Sequence, residues 1–335
     1  MASKEFIYNE FKRFGLETSY HNFNYSALDR RPFANVVGIL KGTNFGKTND
    51  KIIGLAAHYD TVEQTKGVDD NGSGVAAMLE VAKQLSGQNK RGVKRNNTII
   101  FVSFDLKEQE SIGCNYFFPL WLTPWLMKNY GDEYQSLQPH GVIILDTIME
   151  YKTSSNSQKL LLPPGAEVTF HQLFPKSFES MSSDNFRGDF LTLIYRKTAD
   201  DSLATSLLKS WSAAKRPQFE IESFPLPFVD VSSLNGTMMS LFENFLRSDH
   251  FNFWLVKIPA IFLTDSGNFR GDMVKCYHRP CDDLATMLTD DNINFLSKTS
   301  DAIARSIDEL SESDKTDFSE TSGCIGVFLS RVISA

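Results

Sequence analysis

Hydrophobic residues recur along this chain with two periods, and these predict strands that alternate with helices. Apolar runs predict strands near residues 17–25, 33–41, 51–58, 98–104, 141–146, 218–224 and 258–265. Helical spacing predicts helices over 4–14, over 75–85, near 166–180, near 200–214 and from about 290, with a less regular middle over 150–235. This alternation is typical of layered α/β folds. We therefore predict an α/β/α domain of three layers around a mixed, largely parallel central sheet.

No linker rich in Gly, Ser or Pro divides the chain, so we predict a single domain over residues 1–310 and a C-terminal tail over 311–335. The apolar end of that tail is shorter than the roughly 20 residues of a transmembrane helix, and no other apolar run in the sequence approaches that length. No membrane span is therefore predicted. The net charge of −7 and the absence of a basic block argue against nucleic acid as a partner.

The cysteines and glycosylation sequons bear on the cellular compartment. Cys276 and Cys281 are close enough in CYHRPC for a small disulfide loop, and sequons occur at Asn24, Asn71, Asn96 and Asn235. Both features favour a secretory or extracellular location. The N-terminus has the spacing of an amphipathic helix and lacks the apolar core of a signal peptide.

Candidate metal ligands collect where the predicted strands end. Such residues are His58, Asp60, Asp69, Asp70, Glu108, Asp146 and, in a later loop, His278. The carboxyl ends of parallel strands form the ligand-binding edge of an α/β sheet. A lone residue of either type is more often structural, but carboxylates crowded into one cleft repel one another unless a cation joins them. Histidine with carboxylates and without cysteine is a ligand set of catalytic zinc.

Five motifs carry a family resemblance, in the order HYDTV, GVDDNGSGVAAMLEVAKQL, IIFVSFDLKEQESIG, ILD and YHRPCDDL. From about residue 33 to 310 the chain resembles the zinc-dependent aminopeptidase family that includes bacterial leucine aminopeptidase, plasma glutamate carboxypeptidase and glutaminyl cyclases. The resemblance implies the zinc exopeptidase fold and a centre with two zinc ions. By position, His58 and Asp146 would hold one zinc, Glu108 and His278 the other, and Asp69 would bridge them.

The same resemblance implies a set of supporting residues. Asp60 would orient the imidazole of His58, a role that carboxylates near metal-bound histidines commonly have. The pair Asp69–Asp70 matches the position of a cis peptide bond that does not involve proline, which makes Asp70 a supporting residue. The segment SDHFNFW adds Asp249 and His250 as further supporting residues near the site.

One position departs from the family pattern of two adjacent glutamates, a general base followed by a zinc ligand. The pair here is Lys107–Glu108, and Glu110 replaces the glycine expected three positions after the base. Two zinc ions and three carboxylates leave one positive charge, which a glutamate would neutralise and a protonated lysine would double. At about 5 Å and an effective dielectric of about 20, each unit of charge amounts to roughly 3 kcal/mol. Lys107 should therefore weaken binding of the second zinc, lose its proton or turn into solvent.

Three hypotheses for function follow. The first is a zinc-binding, aminopeptidase-like protein with lost or much reduced peptidase activity, because loss of a general base costs about 10²–10⁴-fold in rate. The second is an active metallo-aminopeptidase in which a neutral Lys107 accepts the proton. In both, the cleft would receive the N-terminus of a peptide or amino acid. The third is an adhesion or binding module, since NFRGD occurs at 185–189 and at 268–272.

Overall fold

The computed structural model describes residues 3–27, 32–315 and 325–334. Within these residues, eight strands form one sheet in the order β1-β2-β4-β3-β5-β8-β6-β7. The strands are β1 (Glu17–Phe23), β2 (Phe33–Leu40), β3 (Ile53–His58), β4 (Ile99–Phe104), β5 (Gly141–Leu145), β6 (Phe190–Arg196), β7 (Glu220–Leu226) and β8 (Ala260–Thr264).

The centre of the sheet is parallel and its margins are partly antiparallel. β4, β3, β5 and β8 pair in parallel, and these strands are almost entirely buried, as expected for strands covered on both faces. β2 joins β4 and β6 joins β8 in antiparallel register. The predicted mixed, largely parallel sheet is confirmed. Strand β6 was missed, because a short apolar run does not by itself distinguish a strand from a buried helical turn.

Helices cover both faces of the sheet. They are α1 (Ser3–Phe14), α2 (Gly74–Lys90), α3 (Ile112–Phe117), α4 (Thr123–Tyr130), α5 (Glu167–Leu173), α6 (Pro175–Ser183), α7 (Asp201–Ala213), α8 (Gly236–Leu241), α9 (His250–Leu255), α10 (Met273–Cys276), α11 (Leu284–Met287), α12 (Asp290–Leu310) and α13 (Ile325–Ser334). One apolar core lies between one face of the sheet and the helices α1, α2, α7, α12 and α13. A second core lies between the opposite face and the helices α3, α4, α5, α6 and α9. The predicted three-layer architecture is confirmed.

Part of the predicted C-terminal tail is a packed helix. Phe328, Leu329 and Val332 of α13 are buried in the first core, where the helix contacts α2 and the turn Val68–Ser73. Residues 316–324 and 335 of the predicted tail lie outside the described residues. The limits of the domain stay a prediction, but α13 adds apolar contacts to the core.

Truncation of a core side chain in α13 tests whether this helix contributes to stability. Leu329 is fully buried, so Leu329→Ala should lower the free energy of unfolding by about 2–4 kcal/mol through lost burial and the cavity left behind. Urea denaturation measures the change. Arg331 is exposed in the same helix, and Arg331→Ala is the matched control, with an expected change within about 0.5 kcal/mol. Equal effects of the two variants would contradict the packing of α13.

Two further features concern helix ends and the membrane. The N-cap of α12 is Thr289, whose side chain accepts a hydrogen bond from the N–H of Asn292 at 3.2 Å. In the described ranges, none of the helices combines the length and the apolar character that crossing a bilayer requires.

Candidate metal centre

The predicted strand-end residues come together because four parallel strands end at one edge of the sheet. His58 is the last residue of β3, Asp146 directly follows β5, and Lys107 and Glu108 lie in the turn after β4. His278 lies in the loop after β8, between α10 and α11, and this loop is closed by the Cys276–Cys281 disulfide that the spacing suggested.

These side chains form two groups of potential ligands that share Asp70. In the first group, His58 Nε2 lies 3.5 Å from Asp70 Oδ1 and 3.5 Å from Asp146 Oδ1. In the second group, His278 Nε2 lies 3.0 Å from Asp70 Oδ2 and 3.4 Å from Glu108 Oε2. The ligand atoms within each group all lie within 4.8 Å of one another. His58 thus lies with Asp146, and Glu108 with His278, as the resemblance implied, and their role as zinc ligands stays a prediction.

The donor atoms of both groups fit zinc. His58 Nε2, both Asp70 carboxylate oxygens, Glu108 Oε1 and His278 Nε2 are buried without a hydrogen-bond partner among the described residues. Buried polar atoms normally have partners, and a bound cation would supply them here. Imidazole nitrogens and carboxylate oxygens about 3.0–3.5 Å apart suit a tetrahedral ion with bonds of roughly 2.0–2.2 Å. The residues present therefore fit zinc, and its binding stays a prediction.

The structure places Asp70, rather than the predicted Asp69, at the position that the two groups share. Asp69 lies outside both groups; its Oδ1 accepts the N–H of Met149 at 3.1 Å, and its carboxyl also hydrogen-bonds with Asp265. Burial and the negative charge of Asp265 raise the pKa of Asp69. Asp70 occupies the shared position instead. The cis peptide bond is shifted in the same way, since it joins Asp70 to Asn71.

Two residues that position these ligands, Asp282 and Ser248, are not predicted from the sequence, although both lie in motifs of the family resemblance. Asp282 accepts the N–H of Asp69 at 2.8 Å and that of Asp70 at 3.1 Å, so its carboxylate holds the turn that presents Asp70. Ser248 donates its hydroxyl to Asp146 Oδ2 at 2.7 Å. Both residues are remote in sequence from their partners, and the signal in the sequence is only their place in CDDL and SDHFNFW.

Asp60 supports His58 mainly through its backbone. The Nδ1 atom of His58 lies 3.1 Å from the Asp60 carbonyl oxygen and 3.5 Å from Asp60 Oδ1. With Nδ1 donating to that carbonyl, loss of the Nε2 proton to a bound cation would leave a lone pair directed at the first group. The Asp60 carboxylate accepts the N–H groups of Lys107 at 3.0 Å and Glu108 at 2.9 Å. Asp60 thus ties the end of β3 to the turn after β4.

Lys107 points into the site. Its side chain is 6% exposed, and Nζ lies 3.0 Å from Asp146 Oδ2 and 3.6 Å from Glu108 Oε1. Of the three outcomes considered for this lysine, the structure therefore excludes the one in which it turns into solvent. Burial alone would lower the pKa of Lys107, but Asp146 and Asp70 raise it well above its usual range. The contact with Asp146 at 3.0 Å therefore favours the ammonium form of Lys107.

The ammonium acts in turn on the carboxylates around it. Burial alone would raise the pKa of Asp146, yet Lys107 and His58 hold it well below its usual range. Glu108 behaves similarly: burial opposes ionisation, whereas the neighbouring imidazole of His278 and the charge of Lys107 lower its pKa. The negative charge that would hold a cation is thus already partly balanced by the chain itself.

The two remaining supporting residues differ in their roles. Asp249 is buried, and burial raises its pKa to about 6, although the positive charges of His58 and Lys107 oppose the shift. It therefore lies close enough to the centre to act on it electrostatically. His250 Nε2 donates to the carbonyl of Phe245 at 2.8 Å, and its ring stacks on Phe262. His250 packs the core beneath the site.

The turn that carries Lys107 has left-handed backbone, which favours glycine, at Leu106, Glu110 and Ser111. Glu110 has φ of 56° and is exposed, and it occupies the position where the resemblance leads one to expect glycine. Glu110→Gly should raise the free energy of unfolding by about 0.5–1 kcal/mol, since left-handed backbone costs residues with a Cβ more than it costs glycine. Urea denaturation measures the gain. Glu110→Ala keeps the Cβ and should show no gain; equal stability of the two variants would rule this explanation out.

Residues 35–184 match peptidase family M28. This segment, just under half of the chain, is similar to the M28 peptidases. It includes His58, Asp70, Lys107, Glu108 and Asp146, whereas His278 lies beyond the matched residues. The predicted kinship with zinc aminopeptidases and glutaminyl cyclases is confirmed.

Individual relatives agree with the M28 assignment. The chain is 35% identical to aminopeptidase Y of Saccharomyces cerevisiae over 94 residues, which are 28% of this chain and only 16% of that protein. LapB from Legionella pneumophila superposes with a TM-score of 0.58 at 16% identity, covering 92% of this chain and 65% of LapB. A glutaminyl cyclase from Porphyromonas gingivalis superposes with a TM-score of 0.53 at 17% identity, covering 91% and 88%. The structural matches show that this chain shares its fold with these proteins.

Proposed function

We propose that this protein is a zinc-binding, aminopeptidase-like protein whose peptidase activity is lost or much reduced. The observation that carries the proposal is the buried ammonium of Lys107, 3.0 Å from Asp146, at the position of the family's general base. An ammonium ion has no lone pair with which to take a proton. Bound zinc would polarise a scissile carbonyl and activate water. Without a proton acceptor beside it, that activation should yield little hydrolysis.

M28 membership implies a peptide substrate, and we propose that a free N-terminus of a peptide or amino acid enters the cleft. A cavity of about 650 Å³ opens beside the second ligand group and is lined by Asp60, Glu63 and Glu108 among other residues. Carboxylates that line a cavity attract cations, which suits a protonated amino terminus. His278 does not line this cavity, but its Nε2 lies 3.4 Å from Glu108 Oε2 and its side chain is 35% exposed.

Of the other two hypotheses, neither is favoured. An active enzyme would need Lys107 to lose its proton, whereas its neighbours raise its pKa. The adhesion hypothesis has no support. Arg270 of the second NFRGD segment is fully buried, where its guanidinium donates to the side chain of Gln158 and to the carbonyl of Phe190.

A secretory or extracellular location remains part of the proposal. The Cys276–Cys281 disulfide and the exposed sequon residues Asn24, Asn96 and Asn235 support it, whereas Asn71 is buried and hydrogen-bonded. Expression in a secreting eukaryotic host, followed by glycosidase treatment and mass spectrometry, tests it. An unmodified, reduced protein would argue against this location.

Zinc analysis and a peptidase assay on the native protein test the main proposal. We expect zinc in the purified protein and values of kcat/KM below about 10² M⁻¹s⁻¹ on a panel of aminoacyl-4-nitroanilides, well under the 10⁴–10⁸ M⁻¹s⁻¹ of typical enzymes. Turnover in the typical range would overturn the proposed loss of activity. A protein that does not bind zinc under any condition would overturn the proposed metal centre.

A further inference from the structure

The two ligand groups are not equally affected by Lys107. Its Nζ lies 3.0 Å from Asp146 Oδ2 in the first group but 3.6 Å from Glu108 Oε1 in the second. Asp146 would therefore have to hold a metal through Oδ1 while an ammonium ion lies against its other oxygen. Glu108 is less closely paired, so the second group is the more available of the two.

Charge balance favours a single metal ion. One Zn²⁺ and the Lys107 ammonium carry three positive charges, which the carboxylates of Asp70, Glu108 and Asp146 balance. A second Zn²⁺ would leave an excess of two positive charges. His58, Asp70 and Asp146 are fully or almost fully buried, so water screens such an excess poorly.

The structure also holds Lys107 in this position. The backbone N–H of Lys107 donates to Asp60 Oδ1 at 3.0 Å, and the side chain is 6% exposed. Asp146 Oδ2 is held from another side by the hydroxyl of Ser248 at 2.7 Å. The side chain of His278 in the second group is by contrast 35% exposed, so this group lies nearer to solvent than the first.

We propose that Lys107 is a built-in cation that takes the place of a metal ion in the first group. The native protein then binds one zinc ion, held by Asp70, Glu108 and His278. This inference rests on the proposed zinc binding and specifies which of the two positions is used.

Metal stoichiometry tests the location of the zinc ion. We expect one zinc per native chain by plasma mass spectrometry after dialysis against zinc and removal of excess. His278→Ala removes a ligand of the second group. It should weaken zinc binding by more than the roughly 10–100-fold that is lost when a residue hydrogen-bonded to a metal ligand is removed. His58→Ala should keep one zinc with an affinity within about 10-fold of native, since that ligand serves the first group. Circular dichroism melts show that each variant is folded. Glu108→Gln changes another ligand of the second group, so it should also weaken zinc binding and is a second test of which group holds the ion.

Variants of Lys107 test its role as the replacing cation. Lys107→Gln removes the charge and should raise the stoichiometry to two zinc ions per chain, whereas Lys107→Arg keeps the charge and should stay at one. The double variant Lys107→Gln with His58→Ala should return to one zinc, because the gained ion would need His58.

The outcomes separate this inference from the proposed function. Two zinc ions in the native protein would overturn the inference and leave the proposed zinc centre standing. One zinc that is lost in His58→Ala and kept in His278→Ala would overturn the assignment of the position. A stoichiometry of one in Lys107→Gln would overturn the role of the charge. Absence of zinc from the native protein would overturn both the inference and the proposed centre.

Discussion

Lys107→Glu is expected to raise kcat/KM for aminoacyl substrates by about 10²–10⁴-fold, the range that a positioned general base contributes. The change replaces an ammonium ion by a carboxylate at the position where the family has its proton acceptor. It also removes the positive charge beside Asp146, which lies 3.0 Å from Nζ in the native protein. Steady-state kinetics on aminoacyl-4-nitroanilides, with zinc content measured on the same samples, give the result.

Lys107→Gln is the matched control for this gain. Glutamine has the shape of glutamate and likewise removes the lysine charge, but its amide cannot act as a general base. We expect Lys107→Gln to stay close to the native rate, so the difference between the two variants isolates the proton acceptor. Equal activity of Lys107→Glu and Lys107→Gln would show that the missing base is not what limits the native protein.

Asp70→Asn is expected to weaken zinc binding by at least about 100-fold, which is more than removal of a residue hydrogen-bonded to a metal ligand typically costs. Both of its carboxylate oxygens belong to the ligand groups and have no hydrogen-bond partner among the described residues. Asp69→Asn, one residue earlier, should change zinc affinity by less than about 10-fold, because that carboxyl contacts Met149 and Asp265 instead. Competition with a chromogenic zinc chelator measures both affinities.

This pair of variants compares two adjacent residues that the sequence motif does not distinguish. Thermal melts without added metal show whether either substitution unfolds the protein, which separates loss of a ligand from loss of structure. A large loss of zinc affinity in Asp69→Asn with little change in Asp70→Asn would return the bridging role to Asp69 and contradict the geometry of the turn.

Several parts of the site depend on order along the chain and on strand pattern. His58 and Asp146 come directly after apolar runs of interior strands, and such strand ends meet at one edge whatever the loops do. Glu108 follows from the same rule, and His278 follows from the motif around it in the loop after β8. The three-layer fold follows from alternating periodicities. These features are local in sequence, so they can be predicted without coordinates.

Other parts depend on contacts between remote segments. The backbone of the turn Val68–Ser73 decides that Asp70 rather than Asp69 faces both histidines, and neither hydrophobicity nor spacing records that choice. Asp282 reaches this turn from more than 200 residues away. Pairing of β6 with β8 and packing of α13 on α2 are likewise tertiary facts.

Lys107 shows the division most clearly. The sequence by itself determined that a lysine occupies the position of a proton acceptor, because residues on both sides align it with the family motif. Only the tertiary structure decided what that lysine does. Asp146 arrives from another strand and lies 3.0 Å from Nζ, and burial keeps the side chain from turning into water. The strength of that ion pair is set by distance and by exclusion of water, and both arise only when separate strand ends meet.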